Sequence, residues 1–415
     1  VPMTQVPGGR WGGRSTRCLL SLGAAFLAPQ LLGGWANASP LTSVTATARV
    51  LVSGLDAPKH ITVGPGGELF VAESGSGGRV GGTNCATGPA AGGRGVTTYC
   101  EGPTGAIAEV NAAGHKSDFA SGLPSVVETD DGEIAGPAAV AFNHGWTAVV
   151  YQDELVGPTG ANSLKGAAKT TFGTVEIEHA GSAKMVDVAR FAATHPQAAA
   201  TLGGPPHAET TYDSDPYDVT AYGDGFALVD AAANDLLFVS DTGKVSLLAR
   251  FPTVAQPVPA HAMGNPKPIT IDGQAVPTAV AVGPDGALYV STLSGVPSEP
   301  GTARVYRVVP GKAPTVWASG LTAVTAIAFD GHDLLATELS VGGLLAPPSV
   351  PGALVKIGPN GKTIGVVALS GVGKGLFDPT GVAVARNGTV YVSDNGTQVG
   401  KAKKPGEILE VTGLS

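Results

Sequence analysis

The chain has 415 residues, with 25 Lys and Arg against 33 Asp and Glu for a formal charge of −8, and it is 43% hydrophobic but only 14% charged. That much apolar surface excludes a disordered chain, and the acidic balance excludes a nucleic-acid binder, whose phosphate contacts need a basic face. With 61 Gly and 32 Pro, turn chemistry is dense, which points to many short strands in place of long helices.

Residues 1–38 read as a secretory signal. Arg10, Arg14 and Arg17 form a positive n-region, an apolar stretch runs from Cys18 to Ala28, and Ala36-Asn37-Ala38 is an A-x-A cleavage site. No other stretch is long and apolar enough to span a bilayer, so an uncleaved N-terminal anchor is the alternative. Cleavage after Ala38 predicts an extracytoplasmic protein in which residues 39–415 are one domain. It also leaves two cysteines, Cys85 and Cys100. In an oxidising compartment an even pair predicts a disulfide. A thiolate metal site would want a C-x-x-C spacing, which is missing.

One pattern then recurs: an opening residue, an apolar run, a Gly/Asp/Asn turn, a second apolar run and a closing residue. The clearest copies run from Pro58 to Glu73, Pro277 to Thr292 and Pro379 to Asp394; weaker ones open at Pro137, Pro216 and Val324. Alternating runs such as Val280-Ala281-Val282 and Leu288-Tyr289-Val290, joined by Pro284-Asp285-Gly286, read as hairpins. Third and fourth strands follow most copies, as in Ala303–Val308 and Thr315–Ser319. Six copies of four strands predict an all-β, six-bladed β-propeller. The last copy ends on its third strand, Glu407–Val411, and Ala48–Gly54 supplies the missing fourth, so an N-terminal strand would close the last blade. Insertions are expected at 74–104, 157–171, 178–213 (with a short helix over Lys184–Thr194) and 252–276 (an ordered loop). Long loops in compact domains are often functional.

The closing residues are Glu73, Gln152, Asp230, Thr292, Glu338 and Asp394, each fourteen or fifteen residues after its opening residue. In a propeller they would ring one mouth of the central channel. Converging carboxylates repel unless a cation, a proton or donors compensate. Glu73, Asp230, Glu338 and Asp394 are thus candidate ligands for a hard cation, Ca²⁺ or Mg²⁺. The bland alternative is that each caps its own hairpin. Two residues after the openings stand His60, Ala139, Asp218, Ala279, Ala326 and Gly381, mostly small, as crowding at an axis requires. His60 is the candidate for proton transfer; a satisfied structural histidine is the alternative. Asp215, Tyr217, Asp218 and Asn234 are candidate ligand-binding residues, and Asp213 could reach the same mouth. Gly358-Pro359-Asn360-Gly361-Lys362-Thr363 has too few residues between its glycines for a phosphate loop.

Over nearly all of its mature length the sequence resembles the ScyD/ScyE family of exported propeller proteins, related to NHL-repeat proteins. The resemblance is carried by Thr104-Gly105-Ala106-Ile107, Ser121-Gly122-Leu123-Pro124-Ser125, Ser214-Asp215-Pro216-Tyr217-Asp218-Val219, the run Val229 to Leu237 and the run Val276 to Val290. The family's usual S-N-P-Y stands here as Ser214-Asp215-Pro216-Tyr217, and its Glu-Leu-Thr-Gly as Thr292-Leu293-Ser294-Gly295, which removes one ring carboxylate. The resemblance implies the propeller fold and export; most members have no assigned activity. Two functional classes remain. One is an extracytoplasmic binding or scaffold propeller, expected to be a monomer, that holds a small molecule, glycan or protein. The other is a metal-dependent hydrolase or lyase of the gluconolactonase or streptogramin-lyase type. For that class the blade entries lack an E-G-P-x-W motif, and only His60 stands where several histidines would be wanted.

Overall fold

Short apolar runs punctuated by Gly, Asn and Asp turns can satisfy their backbone groups only by pairing sideways. Among the described residues the computed structural model has 28 strands and two short helices. It describes residues 42–89, 96–130, 132–152, 167–195, 214–258, 260, 266–295, 297–347, 349–372, 375–397 and 404–414. The signal segment 1–38, Asp213 and most of 157–171 lie outside the described residues.

The strands begin with β1 (Thr42–Leu55) and pair into sheets of eight, four, four, two, four and six strands; each antiparallel run that opens at one of the recurring residues forms a unit. The first holds β2 (Pro58–Val63), β3 (Leu69–Glu73), β4 (Cys85–Pro89), β5 (Val96–Val110), β6 (Lys116–Glu128) and β7 (Ile134–Ala135). The second holds β8 (Pro137–Asn143), β9 (Trp146–Tyr151), α1 (Ala168–Thr171), β10 (Thr174–His179) and β11 (Ser182–Asp187), followed by α2 (Val188–Thr194). The third is β12 (Pro216–Tyr222), β13 (Gly225–Asp230), β14 (Asp235–Ser240) and β15 (Val245–Arg250); a separate hairpin, β16 (Val254–Val258) with β17 (Ile269–Gly273), comes next. The fourth is β18 (Pro277–Val282), β19 (Leu288–Thr292), β20 (Ala303–Val308) and β21 (Thr315–Leu321). The fifth is β22 (Val324–Asp330), β23 (Asp333–Glu338), β24 (Ala353–Ile357) and β25 (Thr363–Ser370). The sixth is β26 (Gly381–Val384), β27 (Val390–Asp394) and β28 (Gly406–Thr412).

The first strands β2, β8, β12, β18, β22 and β26 lie side by side in that order, and β26 returns against β2. Antiparallel sheets radiating from a ring of first strands make a β-propeller. Six apolar clusters each lie mainly between two neighbouring units. Leu51, Ile61, Val71, Ala383, Tyr391 and Ile408, for instance, join the last unit to the first. A ladder of hydroxyls reinforces the ring. Thr278 Oγ1 donates to the Val324 carbonyl (2.7 Å), Thr325 to Pro379 (2.7 Å), Thr380 to Pro58 (2.6 Å) and Ser74 to Pro137 (3.0 Å). Each accepting carbonyl belongs to the opening residue of the next unit. In most first strands a β-bulge follows the opening residue, as between Pro216 and Asp218, and bends the strand there.

The N-terminal strand does more than complete the last unit. The second half of β1 pairs antiparallel with β28, Ala48 opposite Val411 and Val50 opposite Leu409, and Arg49 clamps Glu410 through two hydrogen bonds. Its first half, Thr42 to Thr47, runs parallel to β25, so the fifth and sixth units fuse into one eight-stranded sheet. The expected Ala48–Gly54 strand is therefore too short: pairing of Thr42–Thr47 has no signature inside the segment itself.

Three expectations about insertions change. The helix expected over Lys184–Thr194 begins at Val188, because Met185 and Val186 belong to β11. Asp187 caps the shorter helix, its Oδ1 accepting from the Arg190 amide at 2.7 Å. The strand β11 and the last two residues of β10 thus occupy residues assigned from sequence to the 178–213 insertion. The 252–276 loop contains the hairpin β16–β17, in which Val254 lies opposite Gly273. In 74–104, β4 pairs with the start of β5 and the Cys85–Cys100 disulfide joins directly opposed residues.

The up-and-down path sorts the connections by end. Tight turns such as 64–68, 144–145, 223–224, 283–287 and 331–332 lie at one end. The longer connections leave and rejoin the strands at the other end, through 74–84 and through the described residues of 152–173, 188–215, 251–276, 293–302 and 339–352. Among the described residues no helix is long and apolar enough to cross a membrane.

Candidate functional site

The closing residues end their second strands, at the end where the longer connections leave, and they serve their own units. Glu73 Oε2 accepts from the Asp56 amide (2.7 Å), while Lys116 Nζ lies 2.6 Å from Oε1. Glu338 Oε1 accepts from the Thr322 amide (2.7 Å) and Asp394 Oδ1 from the Phe377 amide (2.8 Å). Asp230 is fully buried; its Oδ1 accepts from the Asp215 and Ala233 amides (2.7 and 3.0 Å) and its Oδ2 from the Ser214 hydroxyl (2.7 Å). Thr292 Oγ1 takes the Arg304 amide at 3.0 Å, and Gln152 Oε1 meets the Ser74 hydroxyl at 3.4 Å. In four units the donor is thus an amide one or two residues ahead of the opening residue.

Glu73, Glu338 and Asp394 hold strained backbone ahead of their units, and Asn234 does the same for the fourth. Ala57, Val276, Ala323 and Asp378, each immediately before an opening residue, have φ of 50°, 55°, 45° and 47°. Left-handed backbone is disfavoured for any side chain and most for β-branched Val. The structure over-determines it: the carbonyls of Ala57, Val276 and Ala323 accept the amides of Ser74, Leu293 and Leu339.

Burial with few donors raises the acids. Glu338 is pushed up to about 7 by desolvation, against its single amide bond. Asp394 reaches about 7 through desolvation, with the charges of Glu407 and Asp378 adding and the Phe377 and Asn395 amides opposing. Asp230 is also raised by burial, against its several hydrogen bonds.

A second group converges on the axis. His60 on β2 and Asp218 on β12 come from non-adjacent units, yet Nδ1 lies 3.6 Å from Oδ1, and both residues are buried. The Tyr217 ring stands edge-on to the imidazole, centroids 5.4 Å apart. Asp218 is held by two amides, Val219 to Oδ1 and Val280 to Oδ2, both 2.8 Å. His60 is lowered chiefly by burial, with Lys59 adding, and Asp218 and the Thr278 backbone opposing; Asp218 is raised by burial, with His60 and the two amides opposing. The small residues of the same ring position make room. A Cβ on Gly381 would fall 2.5 Å from the Lys59 carbonyl oxygen and 3.2 Å from His60 Cα.

Of the sequence candidates, then, the structure brings His60, Tyr217 and Asp218 together, and Asp215 beside Asp230. It does not gather Glu73, Asp230, Glu338 and Asp394 around a point. Among the described residues no group of three or more His, Cys, Asp or Glu side chains could hold one metal ion. Carboxylates spent on separate backbone amides do not fit a shared Ca²⁺ or Mg²⁺. Asn234 is committed as well: Oδ1 accepts from the Val276 amide (2.8 Å) and Nδ2 donates to Gln274 Oε1 (3.2 Å), tying the third unit to the entry of the fourth. Sequence reading missed the hydroxyl ladder. Its signal was present, since Thr278, Thr325 and Thr380 each follow an opening residue.

No protein-family model and no curated protein matches the chain. Solved structures do. A streptogramin B lyase is 12% identical with a TM-score of 0.45, covering 88% of this chain and 98% of its own. The PQQ-bound aldose sugar dehydrogenase of Streptomyces coelicolor is 12% identical with a TM-score of 0.48, covering 90% and 100%. A putative gluconolactonase is 11% identical with a TM-score of 0.43, covering 89% and 94%. Identities this low transfer neither substrate nor cofactor.

Proposed function

We propose that the chain is a six-bladed propeller, closed by its N-terminal strand, that binds a small polar ligand at the insertion-bearing mouth of its axial channel after export. The cyclic order of the first strands, the apolar cluster between the last and first units and the Thr380–Pro58 hydrogen bond support six-fold closure. The A-x-A signal and the Cys85–Cys100 disulfide support an oxidising, extracytoplasmic setting, and the quoted motifs support membership of the ScyD/ScyE family. The observation that carries the binding role is positional. The strand ends from which the longer connections leave and the His60–Tyr217–Asp218 convergence share one end, whereas the described connections at the other end are short turns. Variable loops on a rigid scaffold are where binding surfaces are built.

Hydrogen exchange of the intact exported chain, with and without uncharged sugars and polyols, tests this. Protection is expected in 58–60, 216–218, 231–234 and 274–279. Protection confined to the tight turns at 64–68 and 223–224 refutes it. The pairing of His60 with Asp218 also favours a second reading, an enzyme using His60 as proton acceptor; that reading requires turnover that disappears in His60→Gln.

A further inference from the structure

The polar atoms at the axis do not balance. Both Asp218 oxygens are engaged by amides, and Oδ1 also faces His60 Nδ1. His60 Nε2, by contrast, is buried and has no hydrogen-bond partner, in a residue only 5% exposed. A buried polar atom without a partner is costly, and in a native protein it calls for an explanation such as a bound guest. The acceptors near the ring, Asp218 and the Thr278 backbone, belong to the third and fourth units. With Nε2 unpartnered and Asp218 Oδ1 on the Nδ1 side, the ring proton belongs on Nδ1. The unbound nitrogen then carries a lone pair and no proton.

We infer that His60 Nε2 is the hydrogen-bond acceptor for an O–H group of an uncharged polyhydroxyl ligand, a sugar or polyol, entering the channel from the insertion-bearing end. This rests on the binding role proposed above and adds the contact atom and the ligand class. An anion is disfavoured by the Asp218 carboxyl, whose Oδ1 lies 3.6 Å from the ring. A divalent cation is disfavoured because, among the described residues, His60 and Asp218 are not joined by a third His, Cys, Asp or Glu side chain that could complete a metal site. A neutral hydroxyl avoids both costs and supplies the missing donor. Asp218 acts as a positioning residue: it holds the tautomer that leaves Nε2 open.

The test is side-chain ¹⁵N NMR of His60 in the intact chain, titrated with glycerol, myo-inositol, glucose and trehalose, with inorganic phosphate as an anionic control. The inference requires an unprotonated Nε2 in the free protein, and a saturable change of its resonance with at least one neutral compound but not with phosphate. In His60→Phe, binding of that compound should weaken about tenfold, the loss expected for one hydrogen bond of roughly 1.4 kcal/mol. In Asp218→Asn the tautomer preference should relax and binding should weaken with it; both variants are checked by thermal melting. A protonated Nε2 in the free protein overturns the inference without need of any variant. A neutral compound that protects the channel mouth while leaving the His60 resonance and the His60→Phe affinity unchanged overturns this inference and leaves the binding role standing. Failure of all four compounds to bind overturns the ligand class. Failure of any mouth protection in the exchange experiment overturns the binding role itself.

Discussion

Raising the pH from about 5 to about 8 is expected to destabilise this protein, the reverse of ordinary acid denaturation. Glu338 and Asp394 sit at about 7 in the folded chain, against 4.5 and 3.8 when free. At about 1.4 kcal/mol per pH unit, this is about 3 kcal/mol for Glu338 and about 4 kcal/mol for Asp394. For an acid raised by folding, the folded chain keeps a proton that the unfolded chain has lost. The stabilisation is complete below about pH 4 and disappears as the pH rises through about 7. With both groups acting, the unfolding free energy should fall by up to about 2.7 kcal/mol per pH unit between roughly pH 5 and 6.5. Asp230 and Asp218 are shifted the same way; His60, lowered by burial, opposes them below its free value of 6.5. Urea unfolding at intervals across this range measures the slope, and Glu338→Gln should remove close to half of it. A stability that is flat or rises with pH, or a Gln variant with the parental slope, would refute the assignment of these carboxyls to dry, amide-capped positions.

Other consequences follow from the same geometry. Thr380→Val removes the donor to the Pro58 carbonyl at the seam between last and first units and should cost about 1–3 kcal/mol in urea unfolding; an unchanged midpoint would show that the seam does not depend on this bond. Asp230→Ala leaves Ser214, Asp215 and Ala233 without their acceptor, and a loss of about 3 kcal/mol or more is expected from calorimetry. Removing the Cys85–Cys100 bridge, which closes a separation of 15 residues, should cost at most about 3 kcal/mol. Faster amide exchange should be confined to 74–104, and global exchange at the same rate would contradict a local role. Deleting residues 42–55 strips β28 of its outer partner and β25 of its parallel neighbour, so cooperative unfolding should be lost or the chain should aggregate.

Much of the architecture was legible because local chemistry dictates it. Pro277, the alternation through Val282, the Pro284-Asp285-Gly286 turn and Leu288-Tyr289-Val290 specify a hairpin, and the structure pairs Val280 with Val290 and Val282 with Leu288. The pairing of Ala48–Ser53 with β28 could be read from a copy left one strand short. Less legible were segments whose state depends on neighbours. Met185 and Val186 suit a strand or a helix, and β10 alone decides for the strand. The parallel pairing of Thr42–Thr47 depends on an exposed edge of β25 that no local pattern announces.

The candidate site divides along the same line. Sequence by itself determined where these residues fall in the strand order, since the fixed spacing puts Glu73, Asp230, Glu338 and Asp394 at the ends of their second strands. Only the tertiary structure decided what they do there. A carboxylate takes the nearest donor, and the strained turns ahead of the opening residues present amides at 2.7–2.8 Å before any shared ion could be assembled. Likewise a lone histidine and an aspartate 158 positions apart in the chain acquire a relationship only when non-adjacent units meet at the axis. Distance along the chain carries no information about that meeting; packing around the ring does.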